Sequence, residues 1–377
     1  MHGDLTAEES ERYSRQIRIP EVGAEGQLKL KRASVLLIGT GALGSPAAMY
    51  LAAAGVGRIG LVDDDVVDVS NLQRQILHGE SWRGRPKLES AVARLHEINP
   101  LVKIDCYPQR FTPENALEIA RSYDVIIDGS DNFPTRFLTN DAAFFLKIPL
   151  IYGAIHRFDG QFAVFAPHLG GPCYRCLLPE MPPPGSVPSC QEAGVLGVLP
   201  GVIGSLQALE ALKILLEIGG VPSEKLTLFH GLRGEFRRIS LRRDPACRLC
   251  GERPEITSIK NQETLAIGAC SATLCPMETI TTQTLREKLA VGAEGLLIDV
   301  REPDEYAVAN IPEARLIPLA TLPDHLDELP RDCDLWIHCK SGGRSGRAVQ
   351  FLLENGFTRV VNVEGGMDAW LKESPCQ

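Results

Sequence analysis

Ser34-Val35-Leu36-Leu37-Ile38-Gly39-Thr40-Gly41-Ala42-Leu43-Gly44 is the stretch whose reading decides the fold. An apolar, β-rich run stops at a glycine turn, a small-residue helix pattern follows from Ser45 to Ala54, and a second strand from Ile59 to Val62 ends in Asp63. That order is strand, glycine turn, helix, strand. Gly39 makes the tight turn, Gly41 lets a phosphate approach the backbone, Gly44 lets the helix pack on the strand, and the helix start offers N–H groups to an anion. Asp63 stands where a carboxylate takes ribose hydroxyls. Taken alone the unit binds a nucleotide, and a NAD dehydrogenase is the default reading.

The continuation changes that reading. Asp63-Asp64-Asp65 runs into Asn71-Leu72-Gln73-Arg74-Gln75 and then, past Arg85-Pro86, to Lys87. A triphosphate about to lose pyrophosphate needs several cations and a magnesium carboxylate, because charge builds on the leaving group. Arg74 and Lys87 are candidate cations, and Asp131, in Asp128-Gly129-Ser130-Asp131-Asn132 after the strand Val125 to Ile127, is the candidate Mg2+ ligand. The plainer alternative is that Arg74 and Lys87 are solvated surface charges. As a set, these residues resemble the adenylating domain of the ubiquitin-activating superfamily, in its bacterial MoeB and ThiF branch. Its marks here are Arg12-Tyr13-Ser14-Arg15-Gln16, Gly39-x-Gly41-x-x-Gly44, the Asp63 to Asp65 run, Asn71 to Gln75, Lys87 and Asp131-Asn132, over roughly Arg12 to Gly251. The resemblance implies ATP as cosubstrate, held by Gly39, Gly41, Gly44, Asp63, Asp65, Asn71, Arg74, Gln75, Lys87, Asp131 and Asn132. It also implies that Arg15 reaches the triphosphate, in this family from the second subunit of a homodimer. The alternative for Arg12, Arg15 and Arg18 is one solvated helix face.

Bulk composition is ordinary for a globular chain: 44% hydrophobic and 23% charged over 377 residues, enough for two domains. A net charge of −9 argues against nucleic acid as the main partner. Met1 to Glu11 is polar, and the apolar run Val195 to Ile218 is broken by Pro200, Gln207, Glu210 and Lys213, so no membrane partner and a cytoplasmic protein are expected. Eleven cysteines are too sparse for a disulfide scaffold and suit metal or catalytic use.

Helical and strand patterns alternate after Lys87: a helix to His96, a strand Lys103 to Tyr107, a helix Pro113 to Arg121 capped by Thr112, a helix Phe137 to Phe145, then strands Leu150 to Ala154 and Phe158 to Ala166 with His156 in the loop between them. Alternation implies a Rossmann-like, mostly parallel sheet. Cys173-x-x-Cys176 and Cys247-x-x-Cys250 offer four thiolates on two tight turns, which suits a structural, tetrahedral Zn2+ with no open position. Between them, Met181 to Ser189 is proline-rich and ends at Cys190. In relatives this crossover loop carries a cysteine that bonds to the activated carrier in some members and is dispensable in others, and for Cys190 both stay open. Leu196 to Glu217 carries an apolar helical stripe, read as core or dimer interface.

The chain divides, by this reading, into an adenylation domain at 1–255, a linker at 256–278 and a second domain at 279–377. As a flexible chain the linker spans roughly 25–30 Å, and holds the two sites at an effective concentration on the order of millimolar. Cys270 and Cys275 within it receive no role. In the second domain, strand Leu335 to His338 delivers Cys339-Lys340-Ser341-Gly342-Gly343-Arg344-Ser345 to a helix start. Such a loop turns N–H groups inward around the sulfur, and with Lys340 and Arg344 it is expected to favour the thiolate. A phosphatase loop is one residue longer between cysteine and arginine, so the shorter loop fits sulfur. With Asp299-Val300-Arg301-Glu302-Pro303-Asp304-Glu305-Tyr306 and Gly365-Gly366-Met367-Asp368-Ala369-Trp370 this resembles a single-domain rhodanese over roughly 279 to 374. Asn310-Ile311-Pro312-Glu313-Ala314 departs from that family, which commonly has histidine first and glycine fourth.

An acyl adenylate and a persulfide are two halves of one reaction. The fusion resembles MoeB-type adenylyltransferase/sulfurtransferases, which implies ATP-dependent adenylation of the C-terminal glycine of a ubiquitin-like sulfur carrier ending in Gly-Gly. Sulfur transfer from a persulfide on Cys339, filled by thiosulfate or a cysteine desulfurase, then gives the thiocarboxylate, with Cys190 or an external reductant resolving the acyl disulfide. The pathway served, molybdenum cofactor, thiamine or another sulfur compound, stays open. The rivals are a thioester-forming conjugation enzyme using Cys190, the NAD dehydrogenase, and a non-catalytic carrier scaffold.

Overall fold

The computed structural model describes residues 4–182, 194–221, 223–259 and 278–372, and these fall into two compact units. In the first, β1 (Ser34–Ile38), β2 (Arg58–Val62), β3 (Lys103–Tyr107), β4 (Val125–Asp128), β5 (Leu150–His156), β6 (Asp159–Phe165), β7 (Lys225–His230) and β8 (Glu235–Ser240) form one sheet. Its order is β3-β2-β1-β4-β5-β6-β7-β8. Pairing is parallel from β3 to β5 and antiparallel from β5 to β8.

β1 is buried along its whole length. Val35 and Leu37 enter one core with Leu51, Ile59 and Leu95, while Leu36 and Ile38 enter the other with Ile126, Phe137 and Leu150. Successive side chains of a strand point to opposite faces, so a continuous apolar run is what a strand covered on both faces requires. Ile38 lies level with Val62 of β2 and Asp128 of β4. The chain runs from β1 outward to β3 and returns to β4 on the other side of β1. The crevice at that reversal is where open α/β sheets bind ligands.

Several local expectations change. The helix expected over 113–121 is Ala116–Ala120 with Asn115 before it, and the Asn115 side chain accepts from the Thr112 N–H. Phe133 opens the next helix four residues earlier than expected, because Asn132 caps it by accepting from the Thr135 N–H at 2.9 Å. His156 is the last residue of β5, not a loop residue, since β5 and β6 pair through to His156 and Asp159. The β7–β8 hairpin carries no strong periodic signal: β8 is an edge strand exposed throughout. Ile256 and Ile259, placed in the linker by composition, are 3% and 2% exposed and pack with the first unit's cores. Residues 260–277 of that linker, and with them Cys270 and Cys275, lie outside the described residues, as does Cys190, while Glu278, the linker's expected last residue, opens the first strand of the second unit.

Helix Val198–Leu216 is long and apolar enough to cross a membrane by length and composition. Here it packs on β5, β6 and the helix Gly44–Ala54, burying Leu199, Ile203, Gln207 and Ala211.

The second unit is a five-stranded parallel sheet of β9 (Glu278–Thr281), β10 (Gly295–Asp299), β11 (Arg315–Leu316), β12 (Asp334–His338) and β13 (Val360–Glu364), ordered β11-β10-β12-β13-β9. β12 is central and buried from Leu335 to His338. Ile337 and Leu335 face a core with Ala348 and Leu352, and Trp336 faces the other with Leu285 and Met367. Helix Gly343–Glu354 starts a few residues after β12 ends, with Gly342 at φ 105° before it.

Candidate functional site

At the reversal point the glycine loop sits between the ends of β1, β2 and β4. Gly39 has φ 91°, a conformation that glycine adopts without strain. A Cβ on Gly44 would stand 2.1 Å from the Gly39 carbonyl oxygen, so only glycine allows the helix Gly44–Ala54 to start there. A Cβ on Gly41 would meet nothing closer than Gln75 Nε2 at 3.7 Å. The loop therefore has room over Gly41, as a phosphate approaching the backbone requires.

Asp63 follows β2 as expected. Its Oδ2 accepts from the Thr40 N–H at 2.8 Å and the Thr40 hydroxyl at 2.7 Å, and its Oδ1 from the Asp65 N–H at 3.0 Å. It thus shapes the glycine loop besides lying beside it. Lys87 opens the helix Lys87–Ile98, is 5% exposed, and donates to Asp65 Oδ2 at 2.8 Å. A buried ammonium at the positive end of a helix is electrostatically unfavourable. Sites that hold anions carry such arrangements. Arg74 folds back on its own segment, donating to the Ser70 carbonyl at 2.9 Å and to Asn71 Oδ1 at 3.4 Å. Gln75 is 6% exposed, and its Oε1 is buried with no partner among the described residues.

At the end of β4, Asp128 is 1% exposed. One carboxylate oxygen accepts from the Ser130 N–H and hydroxyl at 2.9 and 2.6 Å, and the other has no partner among the described residues. Burial pushes its carboxyl up, against the opposing pull of Arg136. Arg136 donates to the Ser130 carbonyl at 3.3 Å, so this turn is braced from below and lifts Asp131 and Asn132 to the surface. Sequence reading missed Asp128, Arg136 and His78 as supports of the site. Each sits inside or next to a recognised motif, but burial is what makes it a support, and no motif reports burial.

Arg15 is not brought to this crevice. Tyr13 packs against Gly55 and accepts from Asn99 Nδ2 at 2.8 Å, while Gln16 donates to the Ala54 carbonyl at 3.1 Å. Those anchors lie at the C-terminal end of the eleven-residue helix Gly44–Ala54, about 16 Å along its axis from the glycine loop.

The four cysteines converge. Cys173, Cys176, Cys247 and Cys250 place their Sγ atoms within 4.8 Å of one another, with separations of 3.9, 3.6 and 3.4 Å for 173–176, 173–247 and 176–250. A tetrahedron with bonds of about 2.3 Å puts its sulfurs about 3.8 Å apart. Backbone N–H groups of Asp244 and Cys250 point at Cys176 and Cys247. The first turn is held by the helix Phe133–Leu146. Asn140 accepts from the Tyr174 N–H at 2.7 Å, and the buried Asp141 accepts from Arg175 at 2.7 Å. The donor set and spacing fit a metal ion.

In the second unit, Cys339 ends up 1% exposed. Its Sγ receives one backbone N–H, from Gly342 at 3.2 Å, and the Ser345 hydroxyl at 3.4 Å, where a run of inward N–H groups was expected. Met367 donates its N–H to the Cys339 carbonyl at 2.8 Å, which ties the Gly365-Gly366-Met367 ending to the loop. Arg344 differs from expectation. Both its terminal nitrogens donate to Glu305, at 2.5 and 2.7 Å, and those hydrogen bonds hold the Glu305 carboxyl down at about 2. The guanidinium is thus largely neutralised, leaving Lys340 as the exposed cation of the loop. The departing segment 310–314 is packed all the same: Ile311 is 1% exposed and Tyr306 donates its hydroxyl to the Ala314 carbonyl at 3.0 Å.

Comparison with known proteins agrees with both units. The chain matches the ThiF family over residues 13–249 and the rhodanese-like domain over residues 281–373. It is 43% identical to the probable adenylyltransferase/sulfurtransferase MoeZ of Mycobacterium tuberculosis, covering 98% of this chain and 94% of that one. It is 44% identical to the adenylyltransferase and sulfurtransferase MOCS3 of Sus scrofa, over 97% of this chain and 86% of that one. A sulfur carrier protein adenylyltransferase of Thermus thermophilus is 56% identical over 66% of this chain and 93% of its own length. Among solved structures, the E. coli MccB complex with ATP shares the fold at TM-score 0.55 and 22% identity, over 66% of this chain and 75% of that one. These likenesses set aside the dehydrogenase and the non-catalytic scaffold. The chain belongs to the family of ATP-using adenylyltransferase/sulfurtransferases, in which a ThiF family domain is followed by a rhodanese-like domain.

Proposed function

We propose that the first unit adenylates the C-terminal glycine of a ubiquitin-like sulfur carrier ending in Gly-Gly, and that the second converts the product to a thiocarboxylate. The observation that carries the reading is the pairing, in one chain, of a glycine loop beside the buried Lys87 with a cysteine under inward-pointing donors. In the first step the carrier carboxylate attacks the α-phosphorus of ATP and pyrophosphate leaves. Lys87 and Arg74 hold the phosphates, the Gly39–Gly44 backbone lies along them, and Asp65, Asn71 and Gln75 complete the wall. Asp63 takes the nucleoside side with Asn132 beside the site, and Asp131 would hold a Mg2+ ion that would screen the leaving group's charge. In the second step the terminal sulfur of a Cys339 persulfide attacks the acyl carbon and AMP leaves, giving an acyl disulfide. A second thiol then attacks the Cys339 sulfur, the S–S bond breaks, and the carrier departs as thiocarboxylate while the two thiols are left as a disulfide. Cys190 is the candidate second thiol, an external reductant the alternative.

Arg15 completes the phosphate site from a second copy of the chain, which its position at the far end of the helix Gly44–Ala54 supports. The cysteine cluster takes Zn2+ and acts in folding, since four protein ligands leave no open position. Residues 260–277 link the two domains in a cytoplasmic homodimer. Persulfide sulfur comes from thiosulfate or a cysteine desulfurase. The test is the intact mass of a Gly-Gly carrier from the same genome after incubation with this protein, magnesium ATP and thiosulfate. Replacement of one oxygen by sulfur is expected, and pyrophosphate release with an unchanged carrier mass would overturn the second step.

A further inference from the structure

We infer that His78, which no motif assigns, is a positioning residue that locks the glycine loop to the segment carrying Arg74 and Gln75. The inference rests on the adenylation reading of this site and deepens it.

Thr40, between Gly39 and Gly41, is fully buried. Its N–H and hydroxyl are taken by Asp63. Its carbonyl is held from the other side by the Ser45 hydroxyl at 3.3 Å and by His78 Nε2 at 3.1 Å. A carbonyl oxygen has only lone pairs, so Nε2 must carry the proton. His78 is 7% exposed, and burial holds its pKa down against the opposing pull of the Thr40 carbonyl bond, with nearby Lys87 adding to the lowering and Asp63 opposing it. The neutral ring therefore has its one proton on Nε2, and Nδ1 is left as a buried acceptor with no partner among the described residues. An unmet buried acceptor is a standing cost. The bond that Nε2 makes is the polar contact the ring gains in return.

That bond joins two pieces of chain that are otherwise separate walls. Gln75 donates nothing to the glycine loop, and its Nε2 lies 3.7 Å from where a Gly41 Cβ would be. The His78 N–H donates to the Gln75 carbonyl at 3.0 Å, so the imidazole and Gln75 belong to one turn. Through Nε2–H, that turn is pinned to Thr40, and Thr40 to Asp63. The two surfaces that meet the triphosphate, backbone N–H groups on one side and side chains on the other, thus keep a set separation before ATP arrives. Prepaid geometry of this kind shows in ATP affinity more than in the chemical step.

The test compares His78→Leu, which removes the donor, with His78→Gln, whose amide nitrogen can stand where Nε2 stands, in the full-length protein. Carrier-dependent ATP–pyrophosphate exchange gives KM and kcat for ATP, and hydrogen exchange of the Thr40 and Gly41 amides without nucleotide reports the loop itself. His78→Leu is expected to raise KM for ATP about ten- to hundredfold with a smaller change in kcat and to speed loop amide exchange, and His78→Gln to recover most of both. Unchanged loop exchange in His78→Leu, or equal damage in the two variants with a lowered melting temperature, would overturn the inference. If the wild-type protein releases no pyrophosphate, the adenylation reading fails, while the amide exchange still decides whether His78 pins the loop.

Discussion

Lys87→Ala separates the two activities. The ammonium is 6% exposed at its side chain while its partner Asp65 is 71% exposed. When the lysine goes, Asp65 is rehydrated and leaves no buried, unpaired charge. The helix Lys87–Ile98 loses an unfavourable cation from its positive end. Folding stability should change by no more than about 1 kcal/mol. The active site has no such compensation. A phosphate oxygen about 4 Å from a cation, at an effective dielectric constant of about 20, is stabilised by about 4 kcal/mol. Solvent entering the vacated space returns part of that, leaving a net loss of about 3 kcal/mol, or about a hundredfold in rate. Because charge on pyrophosphate grows as it leaves, kcat should fall more than KM rises. Carrier-dependent ATP–pyrophosphate exchange and thiosulfate-to-cyanide sulfur transfer, measured on one preparation, check this directly. Exchange should drop about a hundredfold or more while sulfur transfer by Cys339 is unchanged. Equal loss of both activities, or exchange within a few-fold of wild type, would refute the reasoning.

Elemental analysis should find one zinc per chain, and Cys247→Ser should abolish its retention and lower the melting temperature of the first unit while sparing the second. A metal-free protein with an unaltered melting curve would contradict the assignment of the four-cysteine cluster. The Glu305–Arg344 pair gives the second unit a pH dependence. The folded carboxyl sits at about 2 against an ordinary 4.5, so its contribution is fully present above about 4.5 and is lost as pH falls toward 2. The pair is partly open to solvent, which limits the contribution to about 1 kcal/mol. Glu305→Gln should therefore flatten the acid limb of the second unit's unfolding below pH 4.5, and an acid limb identical to wild type would place the titration elsewhere. The same variant removes the Glu305 charge that faces Arg344 beside the Cys339 loop and should lower KM for the dianion thiosulfate, read from initial sulfur-transfer rates.

Most of the fold was legible because its signals are local. Ser34 to Ile38 is apolar on both faces, Gly39 and Gly44 stand where no side chain fits, and the Asp63 run and Lys87 fall at fixed distances along one βαβ unit. Edges were poorly legible: β8 is exposed on both faces and carries no alternation. Helix starts were misplaced where a cap decided them, as Asn132 does for Phe133. At the Cys339 loop the sequence pointed to Arg344, with Lys340, as a cation for the sulfur, and Glu305, 39 residues earlier, pairs with it.

By itself the sequence determined the two α/β units, the glycine loop, the four-cysteine set and the reactive cysteine, since each is written in residues close together or in a repeated spacing. Only the tertiary structure decided which charges are committed and which are available. Lys87 is buried beside the glycine loop, Arg344 pairs with Glu305, Arg15 stands near the C-terminal end of the helix Gly44–Ala54, away from the glycine loop, and His78 bridges two loops. Those outcomes depend on burial and on partners distant in the chain, and a side chain's chemistry changes with its surroundings while its letter does not.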